Sequence, residues 1–121
     1  MAIPSWAKHL APASSKFGAQ RIEVDGITFH SKREARRWQQ LRILEKAKQI
    51  TNLRRQVPYP IAIVNLETGE LVTVSTYFAD FVYDELAGHT VVEDSKGFRT
   101  DIYKLKKRLV EAQYGVRIYE S

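Results

Sequence analysis

Two neighbouring stretches decide the fold that this sequence predicts: YFADFVY at residues 77–83 and VVEDSKG at residues 91–97. Both are runs of β-branched and aromatic residues, and the short polar loop between them contains Gly88, a pattern typical of a β-hairpin. Each run also carries an acid where a core strand is apolar, and burying such a charge is costly unless the charge has a partner. This hairpin of two acidic strands is therefore the first place to look for a functional site.

The side chains of a strand alternate between its two faces, so spacing decides which charges share a face. Asp94 and Lys96 point the same way from the second strand, and Glu93 points the other way. With Asp80 on the neighbouring strand, they predict a cluster that a divalent metal ion would explain. The ordinary alternative is that the acids are edge charges with Lys96 as a surface partner. The combination of hairpin, D-x-K spacing and a following helix start favours the metal site.

These residues resemble the motif of PD-(D/E)XK nucleases, the superfamily of restriction-endonuclease-like proteins. The resemblance rests on Asp80 and on the triplet Asp94-Ser95-Lys96, and Ala79 replaces the proline that gives the motif its name. It is closer still to a family of small phage- and prophage-encoded proteins, regarded as endonucleases, whose function is uncharacterised. Three segments carry it, at residues 25–35, 77–81 and 92–100.

The remaining sequence predicts two helices and further strands. A capping box formed by Ser31 and Glu34 begins one helix, which continues to about Gln49, and Thr100 caps a second helix that stops at Gly115. Strands are predicted at residues 61–64, 71–74 and 116–119, with a small N-terminal hairpin at 21–29. The α-β-β-β-α-β order indicates an α/β fold with a mixed sheet flanked by two helices, as the restriction-endonuclease-like resemblance implies. The closing strand should run parallel to the second motif strand.

The length and composition of the chain limit the classes of protein to which it can belong. The chain of 121 residues suffices for one domain, which we place at residues 20–121, after an arm at residues 1–19 that we expect to be flexible. It has no cysteine, so neither a disulfide framework nor a zinc-thiolate site is expected. No apolar run approaches the ~20 residues of a membrane span. These features are compatible with a cytoplasmic protein.

The net charge of +5 is distributed unevenly along the chain. Residues 1–56 hold 12 basic and 4 acidic side chains, whereas residues 57–121 hold 7 basic and 10 acidic ones. A basic surface attracts phosphates over a long range, and an acidic cluster holds a metal ion locally. The charge distribution is what a nuclease needs, although a basic surface alone is equally typical of a soluble protein.

The resemblance assigns roles to the motif residues. Asp80 and Asp94 would bind Mg²⁺, or Mn²⁺ in its place, with the backbone carbonyl of Ser95 as a third ligand. Lys96 would orient the attacking water, help to deprotonate it, or stabilise charge on the phosphorus, and the sequence does not separate these roles. Glu34 matches the helix glutamate that completes the metal site of the superfamily, but its place in the capping box explains it equally without a metal.

Further residues are candidates for contact with nucleic acid. Gln56 follows two arginines and could reach the active site, or it is a polar loop residue. The basic candidates lie on both predicted helices and before the first long strand: Arg33, Arg36, Arg37, Arg54, Arg55, Lys104 and Lys107. A solvated helix face explains the basic run of the second helix equally well.

The resemblance thus implies a Mg²⁺-dependent endodeoxyribonuclease that hydrolyses phosphodiester bonds in phage or prophage DNA recombination, replication or processing. Its setting would be the bacterial cytoplasm and its partner DNA. Many members of the superfamily act as dimers, so a homodimer is allowed, although no interface is readable. The rival hypothesis is a nuclease-fold DNA-binding or assembly module with an idle metal site. An RNA-binding accessory protein would need exposed aromatic side chains, whereas we expect the motif aromatics in the core: Tyr77, Phe78, Phe81 and Tyr83.

Overall fold

The computed structural model describes residues 21–121 and confirms the predicted α/β class. Its elements are β1 (Ile22–Val24), β2 (Ile27–Phe29), α1 (Lys32–Lys46), β3 (Ile50–Val64), β4 (Leu71–Glu85), β5 (Thr90–Asp94), α2 (Asp101–Tyr114) and β6 (Ile118–Glu120). The order from α1 to β6 is the predicted α-β-β-β-α-β order. The described residues divide into two compact units, residues 21–39 and 40–121, and the division falls within α1. The predicted arm at residues 1–19 lies outside the described residues.

The N-terminal unit contains the β1–β2 hairpin and the first half of α1. Its two-residue turn is Asp25-Gly26, as predicted, and both residues have positive φ, 53° and 76°. The indole nitrogen of Trp38 donates to Asp25 Oδ2 at 3.3 Å, and the Trp38 and Phe29 rings lie 6.1 Å apart. The helix is therefore joined to the hairpin by a hydrogen bond and an aromatic contact.

Helix α1 begins at the predicted Ser31 cap. Ser31 Oγ accepts a hydrogen bond from the backbone N–H of Glu34 at 3.1 Å. The three residues that the sequence places on one face are all buried: Glu34, Trp38 and Leu41. The helix ends earlier than the predicted Gln49, because Lys48 adopts a left-handed conformation with φ of 61°, which cannot continue an α-helix.

In the C-terminal unit, four strands form one sheet in the order β3-β4-β5-β6. The first three are antiparallel, and β6 runs parallel to β5 as predicted. Strands β3 and β4 are each 15 residues long, and therefore longer than the predicted segments 61–64, 71–74 and 77–83. The predicted segments 71–74 and 77–83 are parts of one continuous strand, β4.

Strand β3 passes through Pro58 and Pro60. Strand β3 tolerates the two prolines because it is the edge strand of the sheet. Residues two apart direct their backbone groups to the same side, and on an edge strand that side can be the one without a neighbouring strand, where no N–H is needed. The carbonyl of Pro60 points away from β4 and accepts hydrogen bonds from Gln113 Nε2 at 3.1 Å and the Tyr114 hydroxyl at 2.7 Å. The end of α2 thus covers this part of the sheet edge.

Helix α2 packs on the sheet through a narrow stripe. The core of this unit consists of Ile61, Tyr77, Ala79, Val82, Val92, Tyr103, Val110 and Ile118. Leu105 and Leu109 of α2 are both exposed. The buried residues of the helix are instead Tyr103 and Val110, which lie two turns apart and so fall on one stripe.

The N-terminus of α2 offers a test of this local structure. Thr100 Oγ1 accepts a hydrogen bond from the backbone N–H of Tyr103 at 3.0 Å, as the predicted cap requires. Thr100→Ala should lower the free energy of unfolding by about 1 kcal/mol, since it leaves this N–H without its acceptor. Thr100→Ser keeps the hydroxyl and should retain most of the stability in urea denaturation. Equal losses in the two variants would contradict the capping role.

Candidate active site

The register of β4 and β5 brings the two predicted acids together. Val82 pairs with Val92 and Phe81 with Glu93, so the next step along both strands sets Asp80 opposite Asp94. The chain then leaves β5, and the backbone N–H of Ser95 donates to Asp80 Oδ2 at 2.9 Å. The two carboxyl groups therefore lie side by side where β5 ends.

Asp94 is held from two directions. Its side chain is 1% exposed, the Tyr77 hydroxyl donates to Oδ2, and the ammonium of Lys96 lies 3.2 Å from Oδ1. Within residues 21–121, Oδ1 is buried and accepts no hydrogen bond of good geometry, and the lysine cation lies beside it. An oxygen in this position is available to a cation.

The surroundings of Asp94 also change its acidity. Burial, and then hydrogen bonding to and repulsion from Asp80, raise the pKa of Asp94 to about 7, while Tyr77 and Lys96 lower it in part. Asp94 therefore keeps its proton to a higher pH than an ordinary aspartate does. Two carboxyl groups this close cannot both ionise cheaply unless a cation lies between them.

The backbone around Lys96 is fixed by the end of the chain. The N–H of Ser121 donates to the carbonyl of Asp94 at 3.0 Å, and the N–H of Lys96 donates to the carbonyl of Ser121 at 3.3 Å. The Lys96 ammonium lies 4.7 Å from the centre of the Tyr103 ring on α2, within the range of a cation–π contact. The lysine is thus held between an acid and an aromatic ring.

Tyr103 links this lysine to a second group of charges. Its hydroxyl donates to Glu120 Oε2 at 2.8 Å, and Arg99 Nε donates to the same oxygen at 2.9 Å. Burial, together with the hydrogen bond to Glu120, raises the pKa of Tyr103 above its ordinary range. The Arg99 guanidinium holds the pKa of Glu120 below its usual value. Tyr103 therefore stays neutral and acts as a fixed wall of the site.

Gln56 reaches the acids from the other side. It lies opposite Asp80 in the β3–β4 pairing, and its Nε2 donates to Asp80 Oδ1 at 3.1 Å. Its φ of 49° is unusual for a residue within a strand and represents local backbone strain. The alternative that Gln56 is only a loop residue is wrong, since it belongs to β3 and contacts the acid pair.

Two glutamates have different positions. Glu93 lies on the face opposite to Asp94, as predicted, where it is fully buried and accepts a hydrogen bond from the Tyr83 hydroxyl at 2.7 Å. Glu34 belongs to the N-terminal unit and is 8% exposed, and its backbone N–H donates to Ser31 Oγ in the helix cap. Its role as a metal ligand stays a prediction. Among residues 21–121, no group of three or more His, Cys, Asp or Glu side chains has an arrangement that could hold a metal ion.

The donor set nevertheless suits a hard divalent cation. Asp80, Asp94 and the carbonyl of Ser95 offer only oxygen, which Mg²⁺ and Mn²⁺ prefer. Mg²⁺ commonly uses one or two carboxylates and keeps several waters. The buried Asp94 Oδ1, whose neighbour is already a cation, and the raised pKa of Asp94 both fit a site that accepts positive charge.

The basic candidates fall into different settings. Arg33 and Arg36 are exposed on α1, Arg54 is exposed on β3 and Lys104 is exposed on α2, whereas Arg37 and Arg55 are half-buried. Lys107 forms an ion pair with Glu111 at 3.3 Å. The structure therefore leaves Lys107 a weaker candidate for phosphate contact than Lys104.

Two residues at the site were not assigned a role from the sequence: Tyr77 and Tyr103. Strict alternation puts Tyr77 and Asp80 on opposite faces of β4, so the strand pattern does not bring Tyr77 to the acids. The signal that could have identified Tyr77 is its long side chain with a hydroxyl at the end, since a buried tyrosine hydroxyl usually finds a hydrogen-bond partner.

The fold and site define an α/β protein with paired carboxyl groups and a lysine at the end of a mixed sheet. The family model described as "Protein of unknown function (DUF1064)" matches residues 14–119, and the chain belongs to this family. No curated protein and no solved structure matches the chain. Neither helix of residues 21–121 has the length and apolar character needed to cross a membrane.

Proposed function

We propose that the chain is a metal-dependent DNA endonuclease that hydrolyses phosphodiester bonds. The observation that carries the proposal is the meeting of Asp80 and Asp94 on adjacent strands, with the Lys96 ammonium 3.2 Å from Asp94. Such a cluster is costly to bury and has no evident structural purpose. The resemblance of the same residues to the PD-(D/E)XK motif supports the same activity.

Each residue has a defined task in this proposal. Asp80, Asp94 and the Ser95 carbonyl would hold Mg²⁺ or Mn²⁺, and the bound ion would supply activation of water and stabilisation of charge on the phosphate. Tyr77 and Gln56 orient the two carboxylates through their hydrogen bonds. Lys96 supplies a positive charge beside the acids, where it can orient the attacking water or stabilise the developing negative charge.

The biological setting is proposed from the resemblance alone. It places the activity in the recombination, replication or processing of phage or prophage DNA inside the bacterial host, with DNA as the partner and a homodimer as the assembly. The uneven distribution of charge supports a polyanionic partner, since the first 56 residues carry a large basic excess.

A second candidate function is a DNA-binding or assembly module whose metal site is idle. Two observations favour it. Both oxygens of Asp94 already have neighbours, Tyr77 and Lys96, and no third acid or imidazole forms a metal-binding group with the pair within residues 21–121. The two functions differ in one measurable property, which is turnover in the presence of metal.

The deciding experiment is a cleavage panel with the purified protein. Duplex, single-stranded, flap and four-way-junction DNA would each be incubated with Mg²⁺, Mn²⁺ or EDTA. The endonuclease hypothesis expects cleavage of at least one substrate with metal and none with EDTA. Tight DNA binding without cleavage in any condition would support the idle module instead.

The basic face of α1 gives a prediction about DNA affinity. Replacing Arg33, Arg36 and Arg37 with Ala should weaken binding and reduce the log–log salt slope by roughly one for each phosphate that the protein no longer neutralises. Alanine preserves the helix, so the effect reports charge and not folding. The matched control is the double variant K104A/R108A on α2. An unchanged slope in the α1 variant and a reduced slope in the control would move the DNA path to α2.

A further inference from the structure

A cavity of about 220 Å³ lies beside the acid pair, where one edge of β4 is left open. Strand β5 pairs only with residues 81–84 of β4, so the preceding residues of β4 have no strand on that side. The first turn of α2 faces this edge across the gap. The cavity is lined by Thr76, Tyr77, Phe78, Asp94, Lys96, Thr100, Ile102, Tyr103 and Lys106.

The walls of the cavity combine aromatic and aliphatic surface. The sequence predicted Phe78 in the core, but this prediction was wrong, because Phe78 is 53% exposed, and it is one of the residues that line the cavity. Ile102 on α2 is 68% exposed and lines the same space. Phe78 and Ile102 therefore give the cavity exposed apolar surface beside its polar groups.

Two lysines make the cavity attractive to an anion. Lys106 Nζ donates to the carbonyl of Thr76 on the open edge at 3.4 Å, and Lys96 reaches the cavity from the acid pair. Both lysine side chains are half-buried, so their positive charges act at short range. A ligand for this space therefore needs one flat apolar face and at least one negative charge.

We propose that the cavity receives the base of a single unpaired nucleotide next to the phosphate that is cut. This inference rests on the proposed nuclease function and specifies its substrate class as nucleic acid with an unstacked nucleotide, such as a single strand, a flap or a branch point. The base lies against Phe78, and the backbone phosphate lies near Lys96 and Lys106. Stacking on an exposed aromatic ring is the usual way to hold an unpaired base without reading its identity.

Continuous duplex DNA does not suit this cavity. Its bases are paired and stacked, so one of them would have to leave the helix to enter, at a cost of a few kcal/mol. A single strand or a branch point already presents such a base. Asp94 and Lys96 line the cavity and are also proposed catalytic residues. A base held in the cavity therefore brings the neighbouring phosphate to them.

The test measures binding in EDTA, where cleavage cannot occur. A fluorescent single-stranded oligonucleotide and the matching duplex would be titrated with the wild type, Phe78→Ala and Phe98→Ala. Phe98 is the control because it is 81% exposed but does not line the cavity. We expect Phe78→Ala to weaken single-strand binding roughly 10-fold with little change for duplex, and Phe98→Ala to change neither. Phe78→Trp keeps an aromatic face and should restore the affinity.

The outcomes separate this inference from the proposed function. If Phe78→Ala binds the single strand as tightly as wild type, or its duplex affinity falls equally, the nucleotide site is refuted even where the protein cuts DNA. If the weaker single-strand binding and the Trp rescue occur but no DNA is cut with any metal, the nucleotide site stands and the nuclease proposal fails. A wild type that binds neither nucleic acid overturns both.

Discussion

Asp94→Asn and Lys96→Ala are each expected to reduce metal-dependent DNA cleavage by at least ~1000-fold while leaving the fold intact. Asparagine keeps the shape of Asp94 and can still accept a hydrogen bond from Tyr77, but it lacks the negative charge that would hold the cation. DNA affinity in EDTA should not fall, because an acidic cluster without metal repels phosphate. Steady-state and single-turnover cleavage rates check the first effect, and circular dichroism checks the fold.

The two variants should differ in metal binding. Lys96→Ala removes the cation 3.2 Å from Asp94 Oδ1 but leaves both carboxylates, so Mn²⁺ affinity measured by calorimetry should survive better than turnover. Asp94→Asn should abolish both. Asp84→Asn is the matched control, since Asp84 lies on the neighbouring strand β4, accepts a hydrogen bond from Thr90 at 2.8 Å and has no proposed role in catalysis.

Two results would contradict the role of these residues. Wild-type cleavage by Asp94→Asn would show that the D-x-K residues are not the catalytic centre. A fall in cleavage in Asp84→Asn as large as in Asp94→Asn would show that removing any acid on these strands disrupts activity. The control therefore distinguishes a specific site from general sensitivity of the sheet.

Local sequence signals predicted the fold well because each has a short-range physical cause. The Asp25-Gly26 turn, the Ser31 and Thr100 caps and the Gly115 stop all depend on backbone groups within a few residues. The alternation of strand side chains likewise placed Glu93 on the face opposite to Asp94. The parallel pairing of β6 followed from the handedness that crossover connections favour.

Features that depend on distant parts of the chain were not predictable in the same way. The exposure of Phe78 depends on where β5 stops pairing with β4, and the sequence does not mark that point. The contact between Tyr77 and Asp94 needs a side chain to reach the acids against strict alternation. The hydrogen bond from Gln56 to Asp80 depends on the register of two strands, and the two residues are 24 positions apart in sequence.

The second large effect concerns stability and pH in the absence of metal. Burial and the neighbouring Asp80 raise the pKa of Asp94 to about 7 in the folded protein, with Tyr77 and Lys96 opposing in part, against about 3.9 in the unfolded chain. Between these values the folded state holds a proton that the unfolded state has released. The free energy of unfolding should therefore fall as pH rises from about 4 to about 7, and the cost of ionising Asp94 is fully present above that range.

Asp94→Asn removes this cost because asparagine does not ionise. In EDTA at pH 8 the variant should be more stable than wild type by roughly 2–4 kcal/mol, and the difference should shrink as the pH falls and approach zero near pH 4, where Asp94 is protonated in both the folded and the unfolded chain. Urea denaturation at intervals between pH 4 and 8 measures both curves, with Asp84→Asn as the control that keeps the wild-type slope. Adding Mn²⁺ at pH 8 should stabilise wild type and not Asp94→Asn, since an ion that binds only the folded state shifts the equilibrium towards it. Parallel pH curves for wild type and Asp94→Asn would show that Asp94 ionises at an ordinary pH, and that the close pairing with Asp80 is not maintained in solution.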